Sequence, residues 1–274
     1  MKTNTLLKWL VLPASTFVLI GCGGGSSSSA VAATGQAFYV DSAVEGLDYS
    51  CGSLPKGKTG PNGEFTFEKE KGCTFSLDTI KLRDIAADKL KDGKQIQETN
   101  VEIARVLLSL DHDRNFNNGI TIDSDIVGAL VDASISNFAD ILTEWSSLIP
   151  VEWPGAIFSH LVSESKAKVH LVKNILQKHS LYTNMNISGE NNMLAKWTFN
   201  ADFSSVSVEI EGGVSDSESV SVHFDEGSLT FSTTNHGNIV KIKNITDEYL
   251  LIAINGDETR LYYDEAKARA YFLN

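Results

Sequence analysis

The most chemically suggestive stretch of the chain is Asp111-His112-Asp113-Arg114-Asn115-Phe116-Asn117-Asn118-Gly119. Side-chain oxygens at every second position, on Asp111, Asp113, Asn115 and Asn117, can converge on a hard cation. Calcium takes carboxylate and amide oxygens of this kind. The stretch departs from the EF-hand rule. Counted from Asp111, the sixth position holds Phe116 where glycine is required, and the twelfth holds Ile122 where glutamate is required. Counted from Asp113, those positions hold Asn118 and Ser124. Asp and Asn also favour turns and helix caps, so the same run reads as a helix-to-helix connection. Calcium is the one cofactor the sequence suggests. His160, His170 and His179 recur at spacings that match no zinc motif, and no H-E-x-x-H is present. No G-x-S-x-G, P-loop or dinucleotide glycine pattern occurs. A non-sequential catalytic set stays open; its sign would be a cleft holding His170 or His223 beside a serine and a carboxylate.

The N-terminus carries a different chemistry. Lys2 and Lys8 precede a mostly apolar run, Leu10 to Ile20, which is short for a spanning helix. Leu19-Ile20-Gly21-Cys22 follows where cleavage is expected. This resembles the bacterial lipoprotein signal, in which the cysteine is acylated and becomes the first mature residue. The resemblance implies lipid attachment at Cys22 and a membrane partner through that anchor. Several acyl chains give lasting attachment, at about 0.8 kcal/mol per buried CH₂. Gly23 stands where the family's inner-membrane retention signal is usually aspartate, which favours the outer membrane. The following Gly23-Gly24-Gly25-Ser26-Ser27-Ser28-Ser29-Ala30 has almost no apolar surface to bury and reads as a flexible tether.

Cleavage before Cys22 removes two of the 23 basic residues and none of the 35 acidic ones, so the net charge of −12 becomes −14. An acidic body is a poor partner for nucleic acid or anionic lipid heads. With 42% apolar residues over the full sequence, the chain can build a real core, as two domains or one large one. If Cys22 carries lipid, Cys51 and Cys73 remain, and an even pair in an oxidising compartment reads as a disulfide.

The elements that must position these residues point to an α+β fold class in five parts: a signal peptide over 1–21, acylated cysteine and tether over 22–34, a small disulfide-stapled β module over 35–92, a helical segment over 93–185, and an antiparallel β meander or small barrel over 190–274. In the module, Phe38 to Val44 reads as extended, Asn62-Gly63 as a hairpin turn, and Phe65-Thr66-Phe67 and Cys73-Thr74-Phe75-Ser76-Leu77 as strands. The order Asp41-Ser42-Ala43-Val44-Glu45-Gly46, then Thr59-Gly60-Pro61-Asn62-Gly63-Glu64-Phe65-Thr66-Phe67, resembles carboxypeptidase-regulatory-like or Cna-B-like β-sandwiches. That resemblance runs from Phe38 to Leu82 at most and implies a structural or presenting role. The wider run from Asn100 to Ile122 resembles a segment that follows such modules in uncharacterised proteobacterial lipoproteins, which names no activity.

Val101, Ile103, Ala104, Val106, Leu107, Leu108 and Leu110 recur at helical spacing, with Asn100 or Thr99 as cap. Ile126 to Leu142 follows, interrupted at Ser134-Ile135-Ser136-Asn137, and Phe158 to Leu176 is a further amphipathic helix. Trp145 and Trp153 read as core anchors. Beyond residue 193, seven runs alternate apolar and polar residues, from Trp197–Phe203 to Arg260–Tyr263. Ala270-Tyr271-Phe272-Leu273 would be an eighth strand. Leu194-Ala195-Lys196-Trp197-Thr198 resembles the G-x-W opening of lipocalin-like domains, with Ala195 in the glycine position. About 80 residues is short for a full eight-stranded barrel.

The functional expectation is a non-enzymatic, outer-membrane-anchored lipoprotein that presents its β domain to a protein or glycan partner, in adhesion, colonisation or envelope assembly. The alternative is a carrier of small apolar ligands, with a C-terminal cavity lined by residues such as Trp197, Phe199, Phe231 and Tyr262.

Overall fold

A computed structural model describes residues 32–148, 160–187, 190–211, 218–233 and 237–271. From Ala33 onward the described residues form one compact α+β body in which a two-sheet β module, a helical layer and a closed barrel succeed one another along the chain.

The module pairs a three-stranded sheet with a four-stranded one. The first has the order β5 (Glu64–Glu68), β1 (Thr34–Val40), β8 (Gln95–Gln97). The second runs β4 (Gly57–Lys58), β3 (Asp48–Cys51), β6 (Cys73–Leu77), β7 (Ile80–Ile85). Side chains alternate across a strand, so Phe65 and Phe67 point inward while Thr66 points out, and Cys73, Phe75 and Leu77 do the same on β6. Phe75 meets Tyr39 at 4.6 Å and Phe65 edge-on at 4.9 Å, ring centre to ring centre, which joins the two sheets. Asn62-Gly63 does form a turn, closed by Gly63 N–H to Gly60 C=O at 2.8 Å, but it is not a hairpin. The strands it connects, β4 and β5, belong to different sheets. Gly63 has φ of 76°, and a Cβ there would lie 2.2 Å from the Tyr39 carbonyl oxygen, so only glycine fits the crossing.

Helix α1 (Val101–Ser109) starts where Asn100 Oδ1 accepts the Glu102 and Ile103 amides, at 2.9 and 3.2 Å. Its stripe of Ile103, Ala104, Val106, Leu107 and Leu108 is buried in the same core as the module's aromatics. The short strands β2 (Val44–Glu45) and β9 (Ile120–Thr121) pair in parallel beside it. The interruption at residues 134–137 separates α2 (Ser124–Asp132) from α3 (Phe138–Leu148), and Trp145 is buried as a core anchor. Trp153 and Phe158 lie outside the described residues.

Helix α4 (Glu164–Lys178), capped by Ser163, joins the two halves. Ala167 and Leu171 belong to the module's core, whereas Val172, Ile175 and Leu176 belong to the barrel's. The strands then run in sequence order: β10 (Leu181–Ile187), β11 (Glu190–Phe199), β12 (Ser205–Ile210), β13 (Glu218–Asp225), β14 (Thr230–Thr233), β15 (Ile239–Ile245), β16 (Tyr249–Ile254) and β17 (Asp257–Tyr262). They close into a barrel where β10 meets β17 at Tyr182 and Tyr262. The eighth strand is therefore β10, inside the stretch read as helical. Of the expected strand at 270–273, Ala270 instead ends helix α5 (Glu265–Ala270), capped by Asp264, Tyr271 is its C-cap, and residues 272–273 lie outside the described residues. Eight strands fit in so short a segment because several are only four to six residues long.

Candidate functional site

Several places in the chain carry residues that could do chemistry. Leu19-Ile20-Gly21-Cys22 lies outside the described residues, as does the Gly/Ser run after it. Cys51 and Cys73 are joined as a disulfide across directly paired positions of β3 and β6, with both residues buried in the module core.

The acidic loop joins α1 to α2. Asp111 is 1% exposed; its Oδ1 accepts the Thr121 amide at 3.0 Å, and its Oδ2 is buried without a partner. Burial pushes its carboxyl up, and the Asp113 carboxylate beside it adds to the rise. Asp113 accepts the Asn115 amide and the Asn118 side-chain amide, both at 2.8 Å, which hold its carboxyl below the usual range. The structure thus brings Asp111 and Asp113 together. Of the loop's asparagines, it is Asn118 whose side chain reaches Asp113. An ion at this loop would displace the donors that Asp113 now holds. No group of three or more His, Cys, Asp or Glu placed to hold a metal occurs among the described residues.

His170 sits beside a serine and a carboxylate, Ser42 and Asp41. Its Nε2 lies 2.9 Å from the Asp41 carbonyl oxygen and 3.3 Å from Asp41 Oδ1. Asp41 is fully buried, and its charge, with the hydrogen bonds it accepts, holds the imidazole above its ordinary value against the effect of burial. Ser42 Oγ donates to the Phe116 carbonyl at 3.1 Å and lies 3.5 Å from Asn174 Oδ1. The hydroxyl is thus engaged by groups other than the imidazole, and His170, Asp41 and Ser42 pin β1 to α4 and the acidic loop. His223 is exposed on β13.

The barrel interior is a packed core. Phe231 stacks on Phe224 at 4.5 Å and meets Phe199 at 5.0 Å. The remaining cavity, lined in part by Trp197, Phe199, Phe231 and Leu176, is about 20 Å³, room for a water or two. Tyr262 does not line it. Its ring lies on the other face of β17, against Tyr249 at 5.4 Å and with Leu194 and Ala268 in a separate buried cluster. The alternation explains the difference: Leu261 points in, so Tyr262 points out.

A larger space lies elsewhere. A cleft of about 490 Å³ separates the module from the barrel, within the 300–1,000 Å³ range of small-molecule sites. One wall is β7, the short 3-10 turn Ala87–Lys89 and β8; the other is His179, the β15–β16 loop, Tyr263 and α5. Salt bridges tie the walls together: Arg83 to Asp247 at 2.8 Å, and Glu248 to Lys267 at 2.5 Å and to Lys89 at 3.4 Å. Arg83 also reaches Glu98 at 3.2 Å, a fully buried carboxylate that accepts from Tyr39 and from the Thr99 and Asn100 amides. Nothing in the sequence marks this cleft. Its residues come from segments far apart in the chain, and none carries a motif.

Comparison of the chain with family models, curated proteins and solved structures finds no match.

Proposed function

We propose that this chain is a non-enzymatic bacterial lipoprotein, held at the outer membrane by acylation of Cys22 and presenting its body to a partner at the end of the Gly/Ser tether. The observation that carries the reading is the order of parts. A signal-like leader ending in Leu19-Ile20-Gly21-Cys22 precedes a tether, and then a body whose Cys51–Cys73 disulfide suits an oxidising compartment. Adhesion, colonisation or envelope assembly are the settings that suit a presented body with no recognisable catalytic motif. Cys22→Ser tests the anchor. The variant is expected to leave the membrane fraction; unchanged membrane fractionation would sink the reading.

The alternative, a carrier of small apolar ligands inside the barrel, needs far more room than about 20 Å³. The barrel interior lends it no support. The barrel serves the first reading better as a rigid support for its own outer face and for the cleft beside it.

A further inference from the structure

Asp41 is fully buried, and neither of its carboxylate oxygens accepts a hydrogen bond of ordinary geometry. A buried carboxylate needs a cation beside it. The cation is His170, whose Nε2 lies 3.3 Å from Asp41 Oδ1 and 2.9 Å from the Asp41 carbonyl oxygen. The same nitrogen lies 2.9 Å from Asn174 Nδ2. That amide nitrogen also donates to the His170 carbonyl at 3.1 Å, and the amide oxygen lies 3.5 Å from Ser42 Oγ. Nε2 therefore faces acceptors on one side and a donor on the other. Carrying a proton, it donates to Asp41. Without one, it accepts from Asn174 and leaves the Asp41 carboxylate buried without its cation.

The surrounding charges are committed elsewhere or distant. Lys178 acts on both groups from about two turns farther along α4. From the module, Tyr39 and Glu98 face Asp41, but Tyr39 donates to Glu98 and Glu98 holds Arg83. The acidic loop contributes the Phe116 ring, edge-on to the imidazole at 5.9 Å, with Lys166 of α4 over it at 4.7 Å. Burial lowers His170, but the Asp41 charge, and then its hydrogen bonds, outweigh it and hold the imidazole above 6.5. Burial raises Asp41 against the pull of the His170 charge. The two shifts share one sign. A group raised in the folded state stabilises fully below its unfolded value, and that contribution fades as pH rises through the folded one. The pair also sits where its loss is felt by both halves: on α4, Leu171 belongs to the module's core and Val172 to the barrel's.

The geometry points to a pH-operated latch: protonated, the Asp41–His170 pair closes the end of β1 onto α4 and the acidic loop, and loss of the proton loosens that junction. The latch goes beyond the partner-binding reading and depends neither on the lipid anchor nor on which partner the body meets.

The test is amide hydrogen exchange of the purified, detergent-solubilised chain between about pH 5 and pH 9, corrected for the intrinsic pH dependence of exchange, with an NMR titration of His170 on the same sample. The amides around Asp41 and those of α4 from His170 to Asn174 should open more often as pH passes the His170 midpoint. Linkage sets the size: the local opening constant should rise by up to about tenfold for each unit by which that midpoint exceeds 6.5. His170→Gln, which keeps a side-chain amide donor and does not titrate, should make the local opening independent of pH. Asp41→Asn should do the same and lower the His170 midpoint. Thermal melts confirm that each variant is folded, and the parent series stands without either. His112→Asn, which alters the other raised histidine, should leave the rise at α4 intact. Unchanged protection of the junction across the range, a His170 midpoint at or below 6.5, or the parent's rise persisting in His170→Gln would each overturn the proposal. A rise shared equally by all amides would also overturn it, by placing the effect in global stability.

Discussion

Opening the Cys51–Cys73 disulfide should destabilise the chain by an amount that its loop length sets. The bond closes a 22-residue separation. The chain-entropy relation for a loop of that size gives about 11 cal/mol/K, or about 3.4 kcal/mol at 25 °C. In the folded state, Cys51 and Cys73 are already register partners, followed by Ser50 with Thr74, Tyr49 with Phe75 and Asp48 with Ser76. The ladder and the aromatic core therefore hold the two strands together without the sulfur link, and the effect acts on the unfolded chain. Urea denaturation of the oxidised chain, the chain in reductant and the Cys51→Ala/Cys73→Ala variant measures it. The reduced chain should lose about 3 kcal/mol, and its thermal midpoint should fall by about 10 °C. The alanine variant should lose slightly more, because it also removes two buried sulfurs. The denaturant slope should rise on reduction, because the unfolded chain expands. Stabilities that agree within about 1 kcal/mol between oxidised and reduced chain would refute the loop-entropy reasoning.

Arg83→Ala should cost about 3 kcal/mol in urea unfolding, because it strands the fully buried Glu98 carboxylate with neutral donors alone; a loss below about 1 kcal/mol would show that Tyr39 and the two amides suffice. Phe231→Ala should cost about 3–5 kcal/mol and open an apolar cavity in the barrel, so the variant should bind benzene where the parent does not. Benzene binding inside the parent barrel would contradict the packed interior. The Asp123 carboxylate, 2.7 Å from His112 Nδ1, holds that imidazole above its ordinary value of 6.5 through the hydrogen bond and then the charge. A histidine raised in the folded state stabilises fully below its unfolded value, and that contribution fades as pH rises through the folded one. An NMR titration should therefore place the His112 midpoint above 6.5, and His112→Asn should flatten the pH dependence of stability above that point. A midpoint at or below 6.5 would overturn this account.

Much of the body follows from features that act within a few residues. The inward alternation of Phe65 and Phe67, and of Cys73, Phe75 and Leu77, specifies strands because side chains on a pleated backbone take opposite faces. Asn100 specifies the start of α1 because its carboxamide satisfies amides two and three residues on. Ser134-Ile135-Ser136-Asn137 separates α2 from α3 for similarly local reasons, and Ser134 has φ of 62° at the break. The disulfide was legible because only two cysteines remain after Cys22.

Closure of the barrel was not legible, because it depends on β10 meeting β17 across about 80 residues of chain. The centre of β10, Thr183-Asn184, carries little apolar signal, so its strand character comes from pairing on both sides and not from its own composition. Tyr262 faces outward, against expectation, because alternation defines two faces but does not say which one a closed sheet turns inward. The cleft was invisible for the strongest reason. Lys94, His179 and Tyr263 have no mutual spacing in the chain, and only packing of the module against the barrel, with α4 shared between their cores, places them around one space. The chain by itself determined many of its local elements and its disulfide. Which strands close, which faces turn inward and what collects between the two halves were decided by contacts between distant segments.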